Sequence, residues 1–328
     1  MSGDPLLSID RLNVYLGAGQ REVQILHDLS LSLAGGEMVG LVGESGCGKT
    51  MAGLTILGLL PSGARCEGHV LFGGADLITL DEPAMTRIRG RRIAMIFQDP
   101  ASALDPVFTV GDQIAETIRA HFHVSHREAR ERAIDALAKV GIPTPRQRYS
   151  DYPHQFSGGM RQRVMIAIAL SCEPKLLIAD EPTTALDVTV QAQIVDLLLE
   201  RASEGGTALL FITHDLGVLA QACTRIITMY AGELVEDGAI DAVLTQPRHP
   251  YTAGLLASLP RLSPPKSVLP AIPGRVLAPG DLGTGCRFEQ RCSYALDPCA
   301  GAQQLMPMSD RQVRCWRSPD LALPGARV

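Results

Sequence analysis

Gly43-Glu44-Ser45-Gly46-Cys47-Gly48-Lys49-Thr50 is the stretch from which the rest of the chain is read. It follows Glu37 to Val42, an apolar run with the character of a buried strand, and precedes Met51 to Leu60, which is free of charge and of proline until Pro61. In that strand, loop and helix setting, G-x-x-x-x-G-K-[ST] cradles phosphate. Glycines let successive backbone N–H groups turn inward around phosphate oxygens, and the helix start behind them adds partial positive charge. Lys49 is then the residue that reaches the β- and γ-phosphates, and the Thr50 hydroxyl the one that holds Mg²⁺.

With 328 residues, 46% hydrophobic, 20% charged and a formal net charge of −5, the composition is that of a globular chain long enough for one large domain and an appendage. A mild acidic excess argues against a protein built to grip nucleic acid. The most apolar stretches, Met51 to Leu60 and Val164 to Leu170, fall short of the ~18 residues that span a bilayer. Met1 to Pro5 carries no basic region followed by a signal core, so a cytoplasmic location is expected, with any membrane role coming through a partner. Cys47, Cys66, Cys172 and Cys223 are scattered, the pattern of small buried apolar residues, whereas Cys286, Cys292, Cys299 and Cys315 crowd the last segment. In a reducing compartment such a cluster points to metal ligation before disulfides.

Ser8 to Leu16 and Val23 to Leu33 read as strands, the second alternating through Leu29, Leu31 and Leu33. Tyr15 offers a face on which a nucleotide base could stack, or is an exposed strand tyrosine. Arg92 to Phe97 is an apolar strand ending at Gln98. From Val110 to Val140 apolar residues recur at three- and four-residue steps, and Gly141 and Pro143 close a helical insertion. Ser157 is suited to cap the helix that continues through Val164 to Leu170, a second glycine-rich helix start and so a second candidate anion contact. Leu176 to Glu181 is an apolar strand that delivers two carboxylates at its C-terminal end, where open α/β sheets bind ligands. Asp180 is placed for Mg²⁺ and Glu181 to take a proton from attacking water. Ala208 to Thr213 repeats the format and delivers His214, and Ile226 to Glu236 reads as a closing hairpin. Beyond about Gln246 prolines multiply and periodicity fades, as in a separate loop-rich appendage.

Gly43 to Thr50, Gln98, Phe156 to Met160, Leu176 to Glu181, Ala185-Leu186-Asp187 and His214 stand in the order of the ATP-binding-cassette ATPases: Walker A, Q-loop, signature, Walker B, D-loop and switch histidine. The resemblance covers roughly residues 8 to 240. It implies an α/β fold, a P-loop ABC core with an antiparallel β subdomain and an inserted helical subdomain at about 100–172. It also implies a dimer that sandwiches two ATP molecules, with Ser157, Gly158 and Gly159 touching the γ-phosphate held by the partner's P-loop. Gln98 would contact Mg²⁺ or the attacking water, and His214 would bind the γ-phosphate and hold the water of Glu181 in line.

Ile96 to Pro100, Phe156 to Leu170, Ile178 to Asp187 and His249-Pro250-Tyr251-Thr252 resemble the oligopeptide/dipeptide importer ATPases, the D-type subunit in particular. The nucleotide-binding domain is then expected at 1–243 and the importer-type extension at 244–328. Implied partners are a homologous F-type subunit, two membrane-spanning permeases and an extracytoplasmic binding protein, with the chain at the cytoplasmic face of the inner membrane. The stretch from Asp99 to Pro106 would touch a permease coupling helix or be a solvated loop. Cys286-x₅-Cys292-x₆-Cys299-x₁₅-Cys315 also matches the family. Four thiolates suit Zn²⁺ or a [4Fe–4S] cluster, the family favours a structural cluster, and free thiols are the third reading.

Two positions depart from the pattern. Cys47 replaces a more usual serine; its N–H still serves phosphate, and a thiol at a helix start is a candidate for reactivity. Leu16 stands where the subfamily places its base-stacking aromatic. The expectation is an ATP-hydrolysing importer subunit for di- or oligopeptides, glutathione, opines or chelated nickel. The rivals are a ribosome- or DNA-directed ABC ATPase, opposed by the single cassette and negative charge, and an inactive partner, opposed by intact Lys49, Asp180, Glu181 and His214.

Overall fold

The computed structural model describes residues 4–17, 19, 22–183, 187–259 and 270–325. They form two compact units, one made of Met1–Leu33, Met38–Ile78 and Ile212–Val328, the other of Ala34–Glu37 and Thr79–Phe211.

The first unit begins with β1 (Leu7–Leu16), β2 (Val23–Leu33), β3 (Met38–Val42), α1 (Lys49–Ile56), β4 (Arg65–Phe72) and β5 (Ala75–Asp76). β1, β2, β4 and β5 make an antiparallel sheet in the order β2-β1-β4-β5. Leu7, Ile9, Leu12 and Val14 of β1 are buried, yet the step from Ile9 to Leu12 is odd. A bulge keeps both halves on the core face: Arg11 takes a φ of 45° and the register shifts there against both neighbours. Across from it, Gly68 has a φ of 96°, and a Cβ at this site would lie 2.4 Å from the Arg11 carbonyl oxygen. Only glycine tolerates that approach.

The second unit contains α2 (Glu82–Ile88), β6 (Ile93–Ile96), α3 (Pro100–Ala103), α4 (Val110–His121), α5 (His126–Lys139), α6 (Pro145–Arg148), α7 (Gly158–Leu170), β7 (Leu176–Asp180), α8 (Val188–Gly205) and most of β8 (Ala208–Thr213). β6 pairs in parallel with β7, and β8 flanks β7 on its other side. Every residue of these three strands is buried, as parallel strands covered on both faces require. The helical stretch from Val110 to Val140 divides into two elements. Phe122 ends α4 in an extended conformation, and Ser125 opens α5 by accepting the Glu128 N–H. Ile114 and Ile118 on α4 and Ala129, Ala133 and Leu137 on α5 are buried, and both helices pack on α7.

The chain then returns to the first unit with α9 (Leu216–Ala222), β9 (Arg225–Tyr230), β10 (Glu233–Ala239), α10 (Ile240–Thr245), α11 (Pro250–Ala257), β11 (Met306–Met308) and β12 (Arg311–Val313). β9 runs parallel to β3 and antiparallel to β10. Ala231 and Gly232 both have positive φ, the geometry of a two-residue hairpin turn. β12 pairs with the outer edge of β10, Glu236 opposite Val313, and β11 pairs with β12. The expected boundary between 243 and 244 falls inside α10, and the segment beyond it shares a core with the cassette strands. Tyr230 of β9, Tyr251 of α11 and Phe288 pack as one aromatic cluster, with ring centroids 4.6 to 5.4 Å apart. Turn-rich backbone hides this core from a periodicity reading.

Candidate active site

The first unit carries the phosphate loop between β3 and α1. Gly48 caps α1 with a φ of 101°, a left-handed value that glycine adopts without strain. Gly43 is required for another reason: an added Cβ would meet the Met229 carbonyl oxygen of β9 at 2.2 Å and the Cys47 sulfur at 2.7 Å. Lys49 is buried, and its ammonium donates to the Gly43 carbonyl at 2.7 Å and the Glu44 carbonyl at 3.1 Å. Ser45, Gly46 and Thr50 are exposed, so the loop presents N–H groups and a hydroxyl on its open side and holds a charge beneath. The Cys47 N–H donates to the Glu44 carbonyl at 3.2 Å, and the Gly232 N–H donates to the Cys47 carbonyl at 2.9 Å.

Cys47 itself is not an accessible thiol. Its side chain is 1% exposed, and burial pushes the thiol up despite nearby Lys49. The reactive thiolate expected of a cysteine at a helix start is therefore disfavoured. His214 follows β8 in the same unit and is exposed, and Asp215 caps α9 by accepting the Gly217 and Val218 N–H groups.

The second unit carries the remaining candidates. Asp180 ends β7 and is buried. Glu181, next in the chain, has a φ of 45°, which a non-glycine residue holds only at an energetic cost. Its carboxylate accepts a hydrogen bond from Gln98 Nε2 at 3.0 Å, so the ends of β6 and β7 bring together two of the three residues expected to manage the attacking water. Ser157 caps α7 by accepting the Met160 N–H, as expected, and Ser157 and Gly158 are exposed. Gly159 lies against Val190, where a Cβ would stand 2.7 Å from a methyl group. Asp187 caps α8 by accepting the Val190 N–H; Ala185 and Leu186 lie outside the described residues.

Tyr15 pairs with Gln24 and Arg65 in the first sheet. The Arg65 guanidinium sits 4.0 Å from its ring centroid, and its hydroxyl donates to Glu67 at 3.3 Å, so one ring face is already covered by a cation.

The four late cysteines line one cavity together with Phe288, Trp316 and Leu321. All are free thiols, and Trp316 Nε1–H donates to the Cys299 sulfur at 3.3 Å. Burial, with smaller contributions from the neighbouring sulfurs, pushes Cys286 up to about 12, and burial raises Cys292 and Cys315 too. Among the described residues no group of three or more His, Cys, Asp or Glu side chains is set to hold a metal ion. No helix among the described residues is long and apolar enough to cross a membrane.

Sequence reasoning passed over the contacts that reach the phosphate loop from the C-terminal segment. Tyr251 accepts the Glu44 N–H at 2.8 Å, and Arg291 pairs with both Glu44 carboxylate oxygens at 2.6 and 3.0 Å. The conspicuous His249-Pro250-Tyr251 run was the available signal.

The family profile described as ABC transporter matches residues 26–184, and that described as Oligopeptide/dipeptide transporter, C-terminal region, matches residues 235–299. The dipeptide transport ATP-binding protein DppD of Escherichia coli K12 is 47% identical over 313 residues, covering 94% of this chain and 96% of that protein. Among solved structures, the dimeric post-hydrolysis state of the ATP-binding cassette MJ0796 bound to ADP and Pi aligns with a TM-score of 0.64 at 29% identity. That alignment covers 71% of this chain and 98% of the other. CbiO1 from Clostridium perfringens, part of the ABC transporter complex CbiONQ, aligns with a TM-score of 0.63 at 27% identity, covering 74% and 91%.

Proposed function

The chain belongs to the ATP-binding subunits of the oligopeptide/dipeptide ABC transporters, and from that premise we propose how its residues divide the work of hydrolysing ATP to energise peptide uptake. The observation that carries the reading is the loop between β3 and α1, with Lys49 buried beneath the exposed Ser45 and Gly46. Gly43, Glu44, Ser45, Gly46, Cys47 and Gly48 form the loop that would receive the phosphates, the Glu44 and Cys47 N–H groups bracing it through the Tyr251 hydroxyl and the Glu44 carbonyl, and Lys49 exchanges its two carbonyl acceptors for phosphate oxygens. By the family resemblance Thr50, Asp180 and Gln98 are the residues that would hold Mg²⁺, since a hydroxyl, a carboxylate and an amide each bring the oxygen donor such an ion prefers. When bound, the ion offsets charge developing between the β- and γ-phosphates.

Glu181 accepts the proton of the attacking water, Gln98 orients that carboxylate, and His214 holds the γ-phosphate end. Ser157 and Gly158, exposed at the start of α7, and Gly159 next to them would serve the ATP of a partner cassette, and Asp187 would join the same partner contact. The likeness to a dimeric cassette supports pairing. Closure of the pair drives two permeases, an extracytoplasmic binding protein delivers the solute, and the partner cassette is a homologous F-type subunit. This places the chain at the cytoplasmic face of the inner membrane. Tyr15 stacks on adenine with the ring face that Arg65 leaves open.

A [4Fe–4S] cluster held by Cys286, Cys292, Cys299 and Cys315 is the finer reading of the extension. Its support is the four thiols around one cavity, with Zn²⁺ as the alternative occupant; among the described residues no group of three or more ligating side chains is already set to hold a metal ion. Cys286, Cys292, Cys299 and Cys315 would have to lose their protons in order to hold it, a loss that burial opposes at Cys286, Cys292 and Cys315, and a bound metal would offset that cost with its charge.

The test of the assembly is a membrane pull-down with this chain as bait. Co-purification of two permeases and a second cassette is the expected result; ribosomes or nucleic acid in their place would overturn the transport reading while leaving the ATPase chemistry standing.

A further inference from the structure

Glu44 puts a carboxylate in a loop that receives polyphosphate, and an uncompensated negative charge there repels the ligand. The structure holds it from three sides. Its N–H donates to the Tyr251 hydroxyl at 2.8 Å, its carbonyl accepts from Lys49, and its carboxylate makes a two-pronged pair with Arg291. The Arg291 side chain is itself fixed: Nε donates to the Pro273 carbonyl at 2.8 Å, Nη1 reaches the Tyr230 hydroxyl at 3.3 Å, and the guanidinium is 6% exposed. Tyr251 is fully buried against Tyr230 and Phe288. Both groups are thus rigidly mounted on the C-terminal segment and aimed at one residue of the loop.

We propose that Arg291 and Tyr251 are positioning residues for nucleotide binding: Arg291 cancels and draws aside the Glu44 charge, and Tyr251 anchors the Glu44 N–H, so that the loop stands preformed for phosphate. The inference rests on the ATP-site reading and adds a role to a segment outside the cassette motifs. A buried guanidinium paired two-pronged with a carboxylate is a strong, directional contact. A loop already ordered loses less entropy when ligand arrives.

The experiment measures MgATP affinity of the full-length chain by displacement of a fluorescent ATP analogue, with melting temperature as a folding control. Arg291→Met is expected to weaken MgATP binding about tenfold. Adding Glu44→Gln to that variant restores most of the loss, because the repelling carboxylate is gone. Tyr251→Phe, which keeps the aromatic packing, weakens binding as well and raises KM in the assembled transporter while kcat holds. If Arg291→Met proves unable to fold, Tyr251→Phe and Arg291→Lys decide the matter, Lys being expected to recover neutralisation without the two-pronged geometry. Wild-type affinity in Tyr251→Phe and in every folded Arg291 variant overturns the proposal, as does an Arg291→Met defect undiminished by Glu44→Gln. A wild-type chain that binds no MgATP would instead remove the site reading on which it stands.

Discussion

Gln98 donates through Nε2 to the carboxylate of Glu181 across 3.0 Å, and Glu181 holds a left-handed backbone to meet it. The pair joins the ends of two adjacent parallel strands, β6 and β7, so the carboxylate is aimed by backbone that is buried and does not adjust. Strain of this kind persists where surrounding structure over-determines it, and it is common at reacting centres.

Glu181→Gln should leave MgATP affinity near the natural value and lower steady-state hydrolysis by about a hundredfold or more, the usual scale of a lost general base. The variant keeps the size of the side chain and loses its basicity. Turnover in the assembled transporter, measured beside single-chain nucleotide binding, checks this; undiminished turnover would move the base elsewhere. Gln98→Ala should lower kcat less, because it frees the orientation of the carboxylate and removes one oxygen donor for Mg²⁺ while leaving the base itself in place.

Gly43→Ala and Gly46→Ala separate crowding from backbone conformation in the phosphate loop. At Gly43 the new methyl would meet backbone oxygen at 2.2 Å, whereas at Gly46, with a φ of 79°, it would meet nothing within 4 Å. Gly43→Ala is expected to cost about 1–3 kcal/mol of stability as an overpacked site, with loss of nucleotide binding. Gly46→Ala pays only left-handed strain, about 1–2 kcal/mol. Urea denaturation of both variants gives the comparison, and equal costs would contradict the geometry.

His249 makes stability depend on pH. Burial depresses its imidazole to about 3 from the ordinary 6.5, while its Nδ1 accepts the Tyr251 N–H. The unfolded chain therefore binds the extra proton between these values, so stability is full above 6.5 and falls as pH drops toward about 3. The slope is about 1.4 kcal/mol per pH unit for a single group. Glu236, which accepts the His249 N–H at 3.0 Å, is raised by burial and acts in the opposite sense; it is present in both chains when wild type is compared with His249→Asn. Thermal midpoints across pH 4.5 to 7.5 should show a shallower fall in the variant. Parallel curves would exclude the histidine.

Anaerobically purified wild-type chain should contain about four iron and four sulfide per molecule if the cysteine cavity holds the proposed cluster. Cys299→Ser should lose the iron and the visible absorption together. Colourless protein with one tightly held zinc would end the cluster reading in favour of the alternative.

What could be read from the residues was what is encoded locally. The glycine loop between β3 and α1, the capping Ser157 and the acidic end of β7 are each defined within a few neighbouring positions, and the structure places them on the expected elements. Even the break before α5 was written in the Ser125-x-x-Glu128 spacing, masked by apolar periodicity that continues on both sides. Contacts across long sequence separations were not legible. Arg291 meets Glu44 from 247 positions away, and nothing in the pattern around either residue names the other. The burial of Cys47 agrees with the reading of a lone cysteine as a small buried residue, whereas its cause, Gly43 and β9 passing behind the loop, was not legible.

The pairing of β12 with β10 has a consequence for how the protein is made. A nascent chain that has just emitted β10 carries a bare sheet edge, with backbone groups ready to zip onto any extended neighbour. The cover arrives only when Arg311–Val313 leaves the ribosome, long after the catalytic motifs have emerged. Translation stalled in that interval, or a truncation that deletes β12, would release a cassette with every catalytic residue in place and a self-associating flank. The C-terminal segment thereby closes the open flank of the cassette sheet.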